Sequence, residues 1–186
     1  LLNTSVLNAL FNYNTDVVWV YRGEVIDISS KAAFNKCLSV ICDQVYCDTP
    51  VYINEMVNKH KPSSAISTAR VNFLAHLLDN GAEENLGFED GKFPPEKTIY
   101  LTLLRNTGIH RRMGREYLLG EPRVESFMPL WNVCEAFLDS TKEKPRKLGE
   151  LIKILRSRPF KLKQGVIDLW LPTFLIIKKN DYSLYN

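Results

Sequence analysis

Hydrophobic positions are densest near the C-terminal end of the chain. Residues 166–177 contain only three positions that are not large hydrophobic residues, namely Asp168, Pro172 and Thr173. A helix with this pattern has almost no polar face, so other segments must enclose it. The sequence therefore predicts that residues 163–178 form the central core helix.

Helical spacing of apolar residues recurs along most of the chain. Ser, Pro and Gly residues at the ends of these segments are typical of helix starts and stops. The predicted helices cover residues 1–11, 31–46, 51–58, 64–78, 95–107, 123–141 and 147–157. Short connections between consecutive helices indicate a compact helical bundle.

A β-hairpin is predicted near the N-terminus. Residues 17–21 and 24–28 are rich in β-branched and aromatic side chains, and Arg22 and Gly23 join them in a tight turn. Residues 80–93 read as an acidic, glycine-containing loop, and residues 109–122 read as irregular.

The last three predicted helices are followed by a strand-like Ser183-Leu184-Tyr185, which is the order of a winged-helix unit. The third of these helices is apolar nearly all round, so a unit for packing or protein contact is favoured over one that reads bases. The predicted fold is mainly α, a helical bundle with a short N-terminal β-hairpin and a C-terminal winged-helix-like unit. The predicted domains are residues 1–121 and 122–186, or one continuous domain.

The two ends of the chain and its cysteines give expectations about the parent polypeptide and the cellular compartment. The chain starts without Met and stops in a strand-like segment, so we expect a piece of a larger polypeptide. Residues 166–177 are too short to cross a bilayer, so no membrane partner is expected. The four cysteines form no Cys-x-x-Cys pair, and we expect them to be buried and reduced in a cytoplasmic protein.

Charge is unevenly distributed along the chain. Residues 141–186 hold eleven Lys and Arg against four Asp and Glu, whereas residues 1–140 hold thirteen against seventeen. A basic C-terminal third is a candidate contact for nucleic-acid phosphates or an acidic partner. The alternative is a solvated rim of long side chains that cover the apolar helix. The candidate contact residues here are Lys153, Arg156, Arg158, Lys161 and Lys163.

A second candidate contact surface consists of Arg105, His110, Arg111, Arg112 and Arg115. Arginines in such a cluster are suited to anchor phosphates. The alternative is charge compensation at the end of the preceding helix, where cations are favourable.

No catalytic, cofactor-binding or metal-binding motif is present. Residues 87–93 are one residue short of a phosphate loop, and Phe93 replaces its hydroxyl residue. The three histidines lie in separate segments and match no hydrolase or zinc motif. Asn54-Glu55 and His110-Arg111 could form a polar cluster, for which a structural hydrogen-bond network is an equal alternative.

Several short sequence segments together resemble an internal, non-catalytic region of very large prokaryotic P-loop ATPases, including those of BREX-type phage-defence systems. In order, they are Cys42-Asp43, Asp48-Thr49-Pro50, Asn54-Glu55, Ser64-Ala65-Ile66-Ser67-Thr68-Ala69-Arg70, Pro95-Glu96, Ile99-Tyr100, Gly108-Ile109-His110-Arg111 and residues 158–166. The resemblance implies a helical, winged-helix-bearing segment outside the nucleotide-binding core.

Two functional hypotheses follow. The first is a non-catalytic interaction or regulatory domain of a larger bacterial ATPase-like defence or DNA-transaction protein, whose partners are the rest of that polypeptide or subunits of a defence complex. The second is a nucleic-acid-binding module that contacts the phosphate backbone of DNA through the basic C-terminal third.

Overall fold

A computed structural model describes residues 5, 6, 9, 17–58 and 63–185. The described chain is mainly helical and carries two short antiparallel hairpins. Contacts divide it into two compact units, Leu1–Cys47 and Asp48–Asn186. The predicted domain boundary between residues 121 and 122 falls inside the second unit and stays a prediction. The helix predicted over residues 1–11 lies mostly outside the described residues, although residues 5, 6 and 9 are helical.

The first unit contains strands β1 (Trp19–Tyr21) and β2 (Glu24–Ile26), paired antiparallel. Arg22 and Gly23 form the two-residue turn, and both have positive φ angles, of 55° and 86°. Such a turn matches the twist of the strands that it connects. The predicted hairpin is therefore confirmed.

Helix α1 (Lys31–Val45) follows the hairpin in the same unit. The Ser30 hydroxyl accepts a hydrogen bond from the Ala33 backbone amide at 3.1 Å and caps the helix. The rings of Trp19 and Phe34 lie 5.0 Å apart, which packs the hairpin against the helix. The predicted helix over residues 31–46 and its serine cap are confirmed.

The second unit contains five α-helices and the second hairpin among its described residues. Its elements are α2 (Ser64–Asp79), a 3-10 turn (Glu84–Gly87), α3 (Pro95–Tyr100) continued by a π-helical turn (Leu101–Arg105), β3 (His110–Met113), β4 (Glu116–Leu119), a 3-10 turn (Glu125–Phe127), α4 (Met128–Ser140), α5 (Leu148–Arg156) and α6 (Gln164–Ile177).

Helix α6 is the centre of the second unit, as its apolar pattern predicts. Seven of its residues are buried, among them Trp170 and Phe174, whose exposed fraction is 0%. The Trp131 ring from α4 lies 5.1 Å from the Phe174 ring, and Phe127 lies 5.8 Å from Trp170. Aromatic rings at these separations bury large apolar surfaces and fix the packing of α4 on α6.

The helix predicted over residues 51–58 is wrong. Residues 51–54 have no regular secondary structure and lead into a turn. Tyr52 and Asn54 point inward, where the Asn54 amide donates to Thr102 Oγ1 at 3.1 Å, while Ile53 is 80% exposed. Alternating inward and outward side chains are the pattern of an extended segment, so this hydrogen bonding replaces the helix.

The prediction of an irregular segment over residues 109–122 is also wrong. Strands β3 and β4 pair antiparallel, with Met113 opposite Glu116 at the turn. The turn residues are Gly114, at a φ of 66°, and Arg115. Glycine is favoured at the first turn position because that position requires a positive φ.

Other expectations are met in part. No strand follows α6 within the described residues up to 185, so the structure supports a helical unit there without a C-terminal wing.

Cys134 is buried, and burial raises the pKa of its thiol to about 12. Cys42 and Cys47 are exposed, so the expectation of four buried cysteines is wrong. Among the helices that the structure describes, none combines the length and apolarity of a membrane span.

Candidate nucleic-acid interface

The last turn of α5 and the connection from α5 to α6 together carry five basic side chains and no acidic one. We call residues 153–163 the basic corner. All five predicted contact residues in it are exposed, namely Lys153, Arg156, Arg158, Lys161 and Lys163. The structure therefore exposes the whole set that the sequence predicts for this region.

Backbone hydrogen bonds fix the path of the basic corner. The Lys161 amide donates to the Ser157 carbonyl at 2.8 Å, and the Leu162 amide donates to the Leu155 carbonyl at 2.9 Å. Phe160 and Leu162 are buried in the core, whereas Lys161, which lies between them in the sequence, is exposed. Because apolar residues anchor the inner side, the charged side chains are held on the outer side.

The acidic residues that bracket the basic corner are already paired. The Asp168 carboxylate accepts a hydrogen bond from Arg70 at 2.9 Å. The Glu150 carboxylate accepts from Arg146 at 2.8 Å, and the hydrogen bonds from Arg146 and from the Lys147 amide hold the pKa of Glu150 below its usual range. Both carboxylates are therefore neutralised by arginines outside the corner.

The corner's own side chains make few polar contacts. Lys163 Nζ donates to the Asn58 carbonyl at 3.1 Å, and Arg156 donates to Gln164. Lys153, Arg158 and Lys161 have no side-chain hydrogen bond or ion pair to any residue that the structure describes. Uncompensated positive charge of this density creates a local potential that attracts polyanions.

In the second predicted contact surface, two of the five residues, His110 and Arg111, are not available to a partner. His110 is only 3% exposed, and its Nδ1 lies 3.0 Å from the Tyr100 hydroxyl. Burial lowers the pKa of His110, and the Gly81 carbonyl opposes only part of that effect. A buried, neutral imidazole cannot bind a phosphate at the surface, so His110 is removed from the contact set.

Arg111 is also turned away from a contact role. Its guanidinium donates to the Gly108 carbonyl at 2.8 Å and to the Glu121 carbonyl at 2.9 Å. These bonds close the base of the β3–β4 hairpin. Arg105, Arg112 and Arg115 remain exposed, so three of the five predicted residues are available to a partner.

Tyr117 is a candidate contact residue that the sequence analysis missed. It lies on β4 directly opposite Arg112. The Gly114-Arg115 pair is the sequence signal that could have found the hairpin, because a two-residue turn that begins with glycine is typical of tight hairpins. With the hairpin recognised, the register would have placed the arginine and the tyrosine on one face.

A polar cleft of about 330 Å³ lies near the ends of α4 and α6. Its charges are paired within it, since Lys178 Nζ lies 2.5 Å from Glu135 and Lys142 Nζ lies 2.7 Å from Asp139. Among the residues that the structure describes, no group of three or more His, Cys, Asp or Glu could hold a metal ion. We assign no ligand to this cleft.

Asn54 and His110, considered above as one polar cluster, take different partners. Asn54 bonds to Thr102, whereas His110 bonds to Tyr100. Each therefore belongs to a separate structural hydrogen-bond network within the core of the second unit.

Comparison of the chain with protein-family models, with curated proteins and with solved structures yields no match in any of the three. The resemblance to an internal region of prokaryotic P-loop ATPases stays a prediction based on the segments quoted above.

Proposed function

We propose that this chain is a non-catalytic interaction domain that binds the phosphate backbone of duplex nucleic acid through the basic corner. The observation that carries the proposal is the set of five exposed basic residues between Glu150 and Asp168, on a backbone anchored from within. Phosphate contacts from Lys and Arg supply most of the sequence-independent affinity of DNA-binding proteins.

Backbone contact fits this surface better than base reading does. In a sequence-reading helix, polar side chains face the base edges in the major groove. Seven of the fourteen residues of helix α6 are buried, and after Gln164 and Gly165 the helix is mainly apolar. The basic corner can therefore orient on phosphates but offers few groups for distinguishing one base pair from another.

The proposal extends to the architecture and context of the chain. Helices α4, α5 and α6 would supply the three helices of a winged-helix-like unit, with the β3–β4 hairpin as the candidate wing. The parent would be a larger cytoplasmic ATPase-like protein of defence or DNA transactions, as the family resemblance implies. A full-length polypeptide without a Gly-x-x-x-x-Gly-Lys-Ser/Thr phosphate loop would remove the ATPase part.

Duplex binding is the direct test of the proposed function. We expect the chain to bind a blunt-ended DNA duplex at low salt, measured by fluorescence anisotropy, and to lose affinity when Arg156 and Arg158 are both replaced by Glu. Lys179→Glu is the matched control, because Lys179 is exposed beyond the opposite end of α6, about 22 Å away at 1.5 Å per helical residue.

The outcomes separate specific from general electrostatic effects. Retention of affinity in the Lys179→Glu variant with loss in the Arg156→Glu/Arg158→Glu variant supports the proposal. Weakening of binding by both in proportion to the charge removed, with the double reversal (−4) having about twice the free-energy effect of Lys179→Glu (−2), would show that only net charge matters. Absence of binding by the unaltered chain at low salt would reject it.

A further inference from the structure

The inner face of the β3–β4 hairpin carries an arginine beside an aromatic ring. Arg112 and Tyr117 are directly opposite each other in the antiparallel pair, so their side chains lie on the same face. Arg112 is exposed and Tyr117 is half-buried. The pair thus offers a positive charge next to a partly accessible ring.

The turn between α2 and α3 adds two more side chains around this ring. The Tyr117 hydroxyl donates to Glu84 Oε1 at 2.7 Å. Asn85 follows Glu84 in the turn, and its Oδ1 accepts a hydrogen bond from Arg105 Nη1 at 3.3 Å. The hydrogen bond to Glu84 raises the pKa of Tyr117, and the charges of both Arg112 and Arg105 act on the same hydroxyl and oppose that larger effect. With Glu84, the three charged side chains leave a surplus of one positive charge.

The backbone of this turn is held in an unusual conformation. Asn85, Leu86 and Gly87 have consecutive positive φ angles of 53°, 52° and 69°. Leu86 is fully buried, which fixes the turn despite the steric cost of a left-handed non-glycine residue. Glu84 and Asn85 are consequently held in place beside the hairpin.

Aromatic rings support Tyr117 from within. The His110 ring lies 5.3 Å from the Tyr117 ring at an interplanar angle of 33°, and the Tyr100 ring lies 5.6 Å from His110. The Tyr100 and His110 rings meet edge to face, at an interplanar angle of 65°, and their hydrogen bond fixes this arrangement. The orientation of the Tyr117 ring is therefore set before any ligand arrives, which lowers the entropic cost of stacking on it.

We infer that Tyr117, Arg105 and Arg112 form a binding site for an unpaired nucleotide of a nucleic-acid strand. Tyr117 stacks on the base, and the two arginines contact the flanking phosphates. Stacking on aromatic residues next to arginines is the general means of holding single-stranded nucleic acid. A base within a duplex is already stacked on both faces, so this site selects for unpaired bases.

This inference rests on the proposed function in that it gives the same domain a second, strand-specific contact. The basic corner would hold duplex phosphates, and the site at Tyr117 would hold an unpaired base at an end, gap or loop. The two surfaces use different residues, so they can be tested separately.

The test compares a single-stranded oligonucleotide with a blunt duplex, for the unaltered chain and for three variants. Tyr117→Leu removes the ring, Tyr117→Phe keeps the ring but loses the bond to Glu84, and Tyr185→Leu removes an exposed tyrosine elsewhere, 86% exposed. Thermal melting of each variant establishes that it is folded.

We expect Tyr117→Leu to weaken single-strand binding about tenfold, since stacking on one base contributes within that range. Tyr117→Phe and Tyr185→Leu should bind single strands as the unaltered chain does, and Tyr117→Leu should bind the blunt duplex unchanged. Replacement of Arg105 and Arg112 by Gln should weaken single-strand binding and flatten its salt dependence.

The failures of the two proposals are distinguishable. Loss of single-strand binding in Tyr117→Leu, without duplex binding by any form, would uphold the site and reject the role of the basic corner. Single-strand binding that is absent in the unaltered chain, or that is unaffected by Tyr117→Leu, would overturn the site whatever the duplex result.

Discussion

At the scale of single residues, His110 is the group whose protonation should matter most. Burial lowers its pKa, so the folded chain keeps the imidazole neutral at pH values where the unfolded chain binds a proton. Stability is therefore lost as the pH falls below about 6.5, the usual pKa of histidine.

We predict that urea unfolding of the chain shows a lower free energy of unfolding at pH 5 than at pH 7, and that His110→Gln reduces this difference. Glutamine carries no titratable group but can still hydrogen-bond the Tyr100 hydroxyl. An unchanged pH dependence in the variant would show that another group governs acid sensitivity.

Asp168, which interrupts the most apolar segment of the chain, forms an ion pair with another helix. Its carboxylate pairs with Arg70 of α2 at 2.9 Å, and both side chains are about one-third exposed, at 31% and 34%. The pair connects α2 to the central helix. The sequence alone could not predict it, because the two residues are 98 positions apart.

We predict that a double-mutant cycle with Arg70→Gln and Asp168→Asn gives a coupling free energy of about 0.5–1 kcal/mol, as expected for a partly exposed pair. The matched control is the Lys142–Asp139 pair, in which both side chains are more than two-thirds exposed, at 77% and 69%. That cycle should give a smaller coupling. Equal coupling in the two cycles would contradict the assignment.

At the scale of secondary structure elements, the start of α6 depends on a close backbone approach. A Cβ atom added at Gly165 would lie 2.5 Å from the Val57 carbonyl oxygen, whereas one added at Gly149 in α5 would meet nothing within 4 Å. The two glycines therefore serve different purposes, although both lie near helix starts.

We predict opposite effects of two alanine substitutions on thermal unfolding. Gly165→Ala should destabilise the chain by about 1–3 kcal/mol, because the backbone must shift to relieve the contact. Gly149→Ala should stabilise it by about 0.4–1 kcal/mol, because alanine restricts the unfolded chain. Similar shifts in both variants would contradict the packing of α6 against residues 51–58.

Elements with a strong local signal are predicted correctly, and the exceptions have physical causes. The serine caps and apolar periods of α1 and α2 determine those helices. Residues 51–58 have a helical spacing too, but their polar side chains bond to Thr102 across the fold. In β3 and β4, charged residues hide the alternation. Arg111, for example, is partly buried at the hairpin base, where it donates to the Gly108 and Glu121 carbonyls.

At the scale of the whole molecule, the charge distribution is the feature that sequence analysis captures best. The net charge of +3 conceals a basic C-terminal third, and the structure exposes all five basic residues of the corner. For the cluster over residues 105–115, the sequence correctly predicts the exposure of only three of the five residues. Burial of His110 and the proposed role of Tyr117 both depend on the β3–β4 hairpin, whose only local sequence signal is the short Gly114-Arg115 turn among charged residues.

The salt dependence of duplex binding tests the central claim most directly. If the basic corner engages up to five phosphates, log Kd should change with log salt concentration with a slope of magnitude about 4 to 5 between about 50 and 200 mM salt. Arg156→Glu/Arg158→Glu should reduce that magnitude by about 2, and Lys179→Glu should leave it unchanged. A slope that is the same in all three proteins would show that duplex nucleic acid does not bind at the basic corner.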